Sequence, residues 1–309
     1  MKKKLSIVIP LYFNEKNIPV TYAKLIQEVF PYLPDYELIF VDDGSKDNSY
    51  TEALKLRELN DKVKVIKLSR NFGQHTAIYA GLEHITGDCA VVISADLQDP
   101  PTLILQLFEK YLEGNKVVLA IRQEREESFS QKLFASLYYK LMKRYAIKDM
   151  PLGGFDCFLA DKTVIAVLTK IEEKNTSLFA QVLWLGFKRA EVYYTRQSRE
   201  IGQSHWTFSK KFKLALDSLL AFSYVPIRTI SLIGLLDCIL SLTYAIYIIF
   251  QKIALGSSID AGWSSLMVAI MFTSGVQMLT LGIIGEYLWR NFDESRKRPL
   301  YVLDEKHGL

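Results

Sequence analysis

The chain has 309 residues, half of them apolar, and a formal net charge of +4. That near-balance argues against a nucleic-acid partner, which calls for a strongly basic face. Three widely spaced cysteines (Cys89, Cys157, Cys238) with no C-x-x-C pair argue against a disulfide framework or a cysteine zinc site, and fit a reducing compartment.

The N-terminus reads MKKKLSIVIPLY. Its apolar run is only about seven residues long and Pro10 interrupts it, so it predicts a first strand and not an export signal. NIPVTYAKLIQEVFPYL then predicts a helix, YELIFVDDGS a strand and KDNSYTEALKLREL a helix. KVKVIKLS predicts a strand, GQHTAIYAGLEHI a helix, CAVVISA a strand, PPTLILQLFEKYLEG a helix and KVVLAIR a strand. Such alternation predicts an α/β domain, an open and mostly parallel sheet with helices on both faces. These sheets bind ligands at the carboxyl ends of their strands. Polar residues collect there: Asn14 and Glu15, Asp42 and Asp43, Arg70 and Asn71, Asp96 to Asp99, Arg122 and Arg125.

Neither G-x-G-x-x-G nor G-x-x-x-x-G-K-[ST] occurs, which removes the main warrant for a dinucleotide dehydrogenase or a P-loop kinase. A site rich in Asp points instead to a nucleotide diphosphate held through a hard divalent cation, Mg²⁺ or Mn²⁺.

Further along, SFSQKLFASLYYKLMKRY and WTFSKKFKLALDSLLAFSY repeat apolar residues near helical period with lysines between them. Basic amphipathic helices of this kind suit an anionic membrane surface. Thr229 to Phe250 and Ser264 to Gly285 are each long and apolar enough to cross a bilayer as a helix, and Asp237 is the one charge within them. Cations cluster outside both runs, at Lys210, Lys211, Lys213 and Arg228 before and at Arg290, Arg296, Lys297 and Arg298 after. The positive-inside rule therefore puts both flanks in the cytoplasm. Gly275, Gly282 and Gly285 permit close helix association, so a homo-oligomer is expected.

Several motifs occur in order: IVIPLYFNEKNI, VDDGSKDNS, LSRNFGQHTAIYAGL, SADLQDPP, GGFDCFLADK, REIGQSHW and GEYLWRNFDESRKRPLY. Together they resemble glycosyltransferase family 2, and within it the polyprenyl-phosphate glycosyltransferases. The resemblance covers nearly the whole chain, both apolar runs included. It implies a GT-A catalytic domain over residues 1–205, an interfacial helix over 206–228, two transmembrane helices over 229–285 and a cytoplasmic tail over 286–309. The implied enzyme is a multi-pass protein of the bacterial inner membrane that takes a UDP-sugar donor and a polyprenyl phosphate acceptor. The related enzymes of O-antigen modification make glucose the default sugar, with galactose, an N-acetylhexosamine or an aminoarabinose-type sugar as alternatives.

The resemblance also implies roles for residues. Pro10, Tyr12, Glu15, Asp42 and Asp43 line the nucleotide end, with Arg70 and Asn71 at the same pocket. Asp43 is favoured as the acceptor of a uracil N–H, while loop capping by Asp42, Ser45 or Asp47 is the competing role. The family's metal motif, Asp-x-Asp followed by Gln, stands here as Ser94-Ala95-Asp96-Leu97-Gln98. Asp96 and Gln98 keep their places and Ser94 replaces the first Asp. Asp99 has two readings, a further ligand or a helix N-cap. Asp156 matches the catalytic Asp. Arg199 and Ser204 match an Arg-x-x-Gly-x-Ser-Lys loop in which His205 replaces Lys. Arg122, Arg125, Lys132 and Ser136 supply cationic and hydroxyl groups for an anionic acceptor. A processive polysaccharide synthase would show Gln-x-x-Arg-Trp and more spans, and the chain has neither. A non-catalytic nucleotide-sugar-binding scaffold or lipid-translocation partner would bind without turnover; Ser94 and His205 favour it, and the retention of Asp96, Gln98 and Asp156 opposes it.

Overall fold

The computed structural model describes residues 3–123, 140, 142–147, 150–151, 154–197, 217–218, 220–223, 225–254 and 262–309. The chain forms two compact units. One comprises Met1–Ala221 together with Pro299–Leu309, and the other Phe222–Arg298.

The first unit is built on an eight-stranded sheet. Its strands are β1 (Lys4–Leu11), β2 (Asp35–Asp42), β3 (Val63–Leu68), β4 (Cys89–Val92), β5 (Val117–Arg122), β6 (Cys157–Asp161), β7 (Arg189–Tyr194) and β8 (Leu303–His307). They lie in the order β7-β5-β6-β4-β1-β2-β3-β8. The interior strands are near-continuous apolar runs because they are buried on both faces. Leu5, Ile7, Val8, Ile9, Leu38, Ile39 and Phe40 are all fully buried. Pairing is parallel except at β6, which runs against both neighbours, and at β8, which runs against β3. The mostly parallel sheet expected from the sequence is the one observed.

Helices α1 (Asn17–Glu28), α2 (Ser49–Leu59), α3 (Gln74–Glu83) and α4 (Leu103–Leu112) follow β1 to β4 as the alternation predicts. Helix α1 stops at Glu28 and gives way to a single tight turn at Phe30–Tyr32. Pro31 explains this, since it has no N–H and clashes with the preceding turn of a helix. Helices α5 (Lys162–Leu168) and α6 (Leu178–Trp184) separate β6 from β7.

The sheet's opposite, amino-terminal end shows what a purely structural buried carboxylate looks like here. Glu37 is 1% exposed. It takes Ser6 Oγ at 2.5 Å, Thr86 Oγ1 at 2.6 Å and Lys64 Nζ at 2.8 Å. Burial raises its pKa, but these partners outweigh it and hold the group at about 2.

The second unit contains two long helices, α7 (Val225–Ala254) and α8 (Gly262–Ser295). Windows at Ile227–Tyr244 and Ala269–Ser295 are long and apolar enough to cross a membrane. Leu235, Leu240, Phe250, Met271, Phe272 and Met278 are all more than half exposed. The residues read from sequence as a tail do more than trail: β8 returns to the first unit and covers the edge of β3. Tyr50 donates to Glu305 at 2.8 Å, and Lys67 pairs with Asp304 at 2.7 Å.

Candidate active site

Every predicted site residue that the structure describes stands at the carboxyl edge of the sheet. The loops after β1 and β2 interlock there. Asn14 N donates to Ser49 Oγ at 2.7 Å, and Asn48 N donates to Glu15 Oε2 at 3.1 Å. Tyr12 N donates to Asn14 Oδ1 at 2.8 Å, and the Tyr12 ring meets the edge of Phe13 at 4.6 Å. Pro10 is accommodated because the β1–β4 ladder ends at Val8 and Val92, two residues earlier.

Asp42 and Asp43 close β2 and are almost fully buried. Asp42 Oδ2 accepts from Ser45 N at 3.1 Å, so Asp42 caps its own turn, while its Oδ1 has no partner among the described residues. Asp43 reaches across instead, accepting from Phe72 N at 2.7 Å and from Gly73 N at 2.9 Å. Burial pushes Asp43 up to about 6 against those two hydrogen bonds, and the neighbouring Asp42 adds to the rise. Burial also raises Asp42. Glu37 and this pair are similarly buried, yet only Glu37 is fully answered by partners. Each Asp43 oxygen retains a second lone pair for a ligand N–H.

Gly44 makes the crossing possible. Its φ is +65°, and an added Cβ would sit 2.4 Å from the Arg70 carbonyl carbon. Arg70 lies with its guanidinium 4.0 Å above the Phe72 ring and donates to Asn71 O at 3.1 Å. Arg70 thus stands beside Asp43, whose charge it favours.

The chain leaves β4 through a tight turn. Leu97 has φ +57°, an uncommon backbone for a branched apolar residue. Gln98 N donates to Asp96 Oδ1 at 3.2 Å within this turn. The Gln98 amide nitrogen points to Gln197 O at 3.5 Å, and Gln197 N returns a bond to Gln98 O at 2.9 Å. Half-buried Ser94 stands two residues ahead of Asp96. Among the described residues no three His, Cys, Asp or Glu side chains group together. One carboxylate and one amide oxygen form an all-oxygen donor set. That fits a hard cation which keeps water and diphosphate oxygens as its other ligands.

Asp156 reaches the same edge because β6 is antiparallel and begins there. Gly154, with φ +63°, turns the chain, its N–H bonded to Pro151 O at 3.1 Å. Phe155 and Phe158 both set edges against Phe179, at 5.4 and 6.0 Å, and His75 meets the same ring at 5.2 Å. This aromatic cluster fixes the backbone on either side of Asp156. The Asp156 carboxylate is ion-paired with Arg122, the last residue of β5.

Of the two roles expected for Asp99, the helix N-cap is not the one observed. Thr102 holds the N-cap position of α4, without a side-chain capping bond, and Asp99 Oδ1 accepts from Tyr194 O–H at 2.5 Å. Tyr194, on a strand with no motif to mark it, is the residue at this edge that sequence reading missed. Arg125, Lys132, Ser136, Arg199 and Ser204, with His205, lie outside the described residues, as does most of both basic amphipathic stretches.

The family model described as Glycosyl transferase family 2 matches residues 6–220. A Bacillus subtilis protein named uncharacterized glycosyltransferase YkcC is 40% identical, over 98% of this chain and 94% of its own. A Synechocystis protein named uncharacterized glycosyltransferase sll0501 is 37% identical, over 100% of this chain and 97% of its own. The SfII prophage-derived bactoprenol glucosyl transferase of Shigella flexneri is 33% identical, over 98% of each chain.

Proposed function

The chain belongs to glycosyltransferase family 2, and from that premise we propose that it moves a hexose, glucose by default, from a UDP-sugar to undecaprenyl phosphate. The reaction is a single inverting displacement at the cytoplasmic face of a bacterial membrane. The observation that carries the reading is the gathering of Asp43, Asp96, Gln98, Arg122 and Asp156 at one edge of the sheet, in a chain similar end to end to a bactoprenol glucosyl transferase.

Asp43 accepts an N–H of the donor's base, and Tyr12, Glu15, Arg70 and Asn71 line that end of the site. Asp96 and Gln98 would hold a divalent cation, which when bound supplies positive charge against the donor's diphosphate. A phosphate oxygen of the acceptor forms the new bond to the anomeric carbon. The bond from that carbon to the β-phosphate oxygen breaks, and its electron pair leaves with UDP. A phosphate monoester loses its second proton near pH 6, so at neutral pH the nucleophile needs little help from a base. Asp156 then acts by orienting and by charge. Arg122, with Arg125, Lys132, Ser136, Arg199 and Ser204, receives the acceptor phosphate or the departing diphosphate.

Membrane anchoring is supported by α7 and α8, whose exposed apolar residues call for an apolar surrounding. The chain leaves the first unit at Phe222 and rejoins it at Pro299, which suits two crossings with both ends on one side.

The test is transfer of radiolabelled sugar from a panel of UDP-sugars to undecaprenyl phosphate, by full-length protein in detergent with Mg²⁺ or Mn²⁺. One donor is expected to turn over, to stop with chelator and to resume with added metal. UDP binding without turnover on any donor would favour a non-catalytic role.

A further inference from the structure

Arg122 and Asp156 meet unequally. The arginine side chain is 8% exposed and the aspartate side chain 43%. A fixed, buried cation therefore faces an accessible anion. Arg122 Nε has no hydrogen-bond partner among the described residues. Behind the pair, Tyr194 is the register partner of Arg122 on β7 and donates to the buried Asp99. The second Asp99 oxygen has no partner among the described residues. The Cys157 thiol, next to Asp156, senses both charges: burial raises it most, Asp99 raises it further and Arg122 lowers it.

The reaction proposed above brings a second anion, the acceptor's phosphate monoester, to the neighbourhood of Asp156. Two anions brought close together repel unless a cation serves both. A guanidinium has five N–H donors in a planar fork, more than one carboxylate can use.

We propose that Arg122 is a shared cation for which the Asp156 carboxylate and the acceptor's phosphate monoester compete. In the ligand-free protein Asp156 holds it. Arriving phosphate takes it over and frees Asp156 to turn toward the sugar. Arg122 is thus a positioning residue for Asp156 in one state and for the acceptor in the next. The inference rests on the transferase reading, because that reading supplies the phosphate monoester.

The test is direct binding without any donor. Full-length protein in detergent micelles is titrated with farnesyl phosphate, with farnesol as the control for the lipid tail. UDP binding serves as the check that each variant is folded. Asp156→Asn is expected to bind farnesyl phosphate about fivefold tighter than wild type, in line with removal of a partly exposed competing charge. Arg122→Gln is expected to bind it about tenfold more weakly or worse, and the double variant to match Arg122→Gln. Arg122→Lys, which keeps the charge and gives a second route should Arg122→Gln misfold, is expected to retain binding while turning over slowly. Farnesol affinity stays constant throughout. Unchanged or weaker phosphate binding in Asp156→Asn overturns the proposal. The two readings fail separately: no sugar transfer with tighter phosphate binding in Asp156→Asn sinks only the transferase reading. Normal wild-type transfer with unchanged phosphate binding in that variant sinks only this one.

Discussion

Replacing Asp43 with Asn separates what the residue does for the fold from what it does for a ligand. Burial lifts its pKa from an ordinary 3.8 to about 6. Below about pH 4 both folded and unfolded chains carry the proton, and between about 4 and 6 only the folded chain does. The group's contribution to stability therefore falls as pH rises through that window and is level above it. That rise corresponds to about 3 kcal/mol. Asparagine never ionises, so the variant escapes that cost at neutral pH. It keeps only one acceptor oxygen for the two N–H groups of Phe72 and Gly73, a loss of about 1.5–3 kcal/mol. The two terms nearly cancel at pH 7.5, where variant and wild type are expected to melt within a few degrees of each other. At pH 3.5, below both pKa values, essentially only the loss remains, and the variant should melt lower by roughly 3–12 °C, taking about 2–4 °C per kcal/mol. UDP affinity should drop about tenfold or more, since one charge-assisted hydrogen bond is worth over 1.4 kcal/mol. Thermal unfolding at both pH values and calorimetric UDP titration provide the check. A melting difference that does not change with pH, together with unchanged UDP affinity, would make Asp43 a loop latch of ordinary acidity and refute the reasoning.

Three further outcomes follow from the same geometry. Gly44→Ala combines a positive φ with a 2.4 Å clash against Arg70, so it should part the two loops and lose UDP binding, and full UDP affinity in that variant would contradict the crossing. Asp156→Asn should lower turnover about a hundredfold or more while leaving UDP affinity near wild type; steady-state kinetics with calorimetry decides, and equal losses in both would indicate general disruption. Deleting residues 299–309 removes β8 and its pairs to Tyr50 and Lys67, leaving β3 as a bare edge open to association. The shortened protein should melt lower and aggregate in size-exclusion chromatography, and an unchanged melting point would show β8 to be dispensable.

The first five strands and four helices were legible because each strand is an apolar run stopped by polar or proline residues. Their order implied the edge at which the site residues stand. Strand β6 was hidden inside a motif, GGFDCFLADK, whose glycines and Asp drew attention away from the short apolar run that pairs with β4 and β5. Strand β8 was hidden for a different reason. LDEKH is polar, because an outer strand exposes most of its side chains, and its partner β3 is over two hundred residues away. Motifs single out Asp43, Asp96 and Asp156 as candidates, but not their partners. Local sequence does not say that Asp43 would hold the Phe72–Gly73 backbone, or that Asp99 would hold Tyr194 rather than cap a helix. Those contacts depend on which strands become neighbours: β2 beside β3 in the first case, and in the second the insertion of β6 between β4 and β5, with β7 beyond.

The most direct test of the central claim is the chemical structure of the lipid product. Full-length protein, UDP-α-glucose, undecaprenyl phosphate and Mn²⁺ should yield a lipid heavier than the acceptor by one hexose. The sugar should be joined to the phosphate oxygen in the β configuration by NMR. An α-linked product, or free glucose and UDP with the lipid unchanged, would contradict a single displacement by the acceptor phosphate.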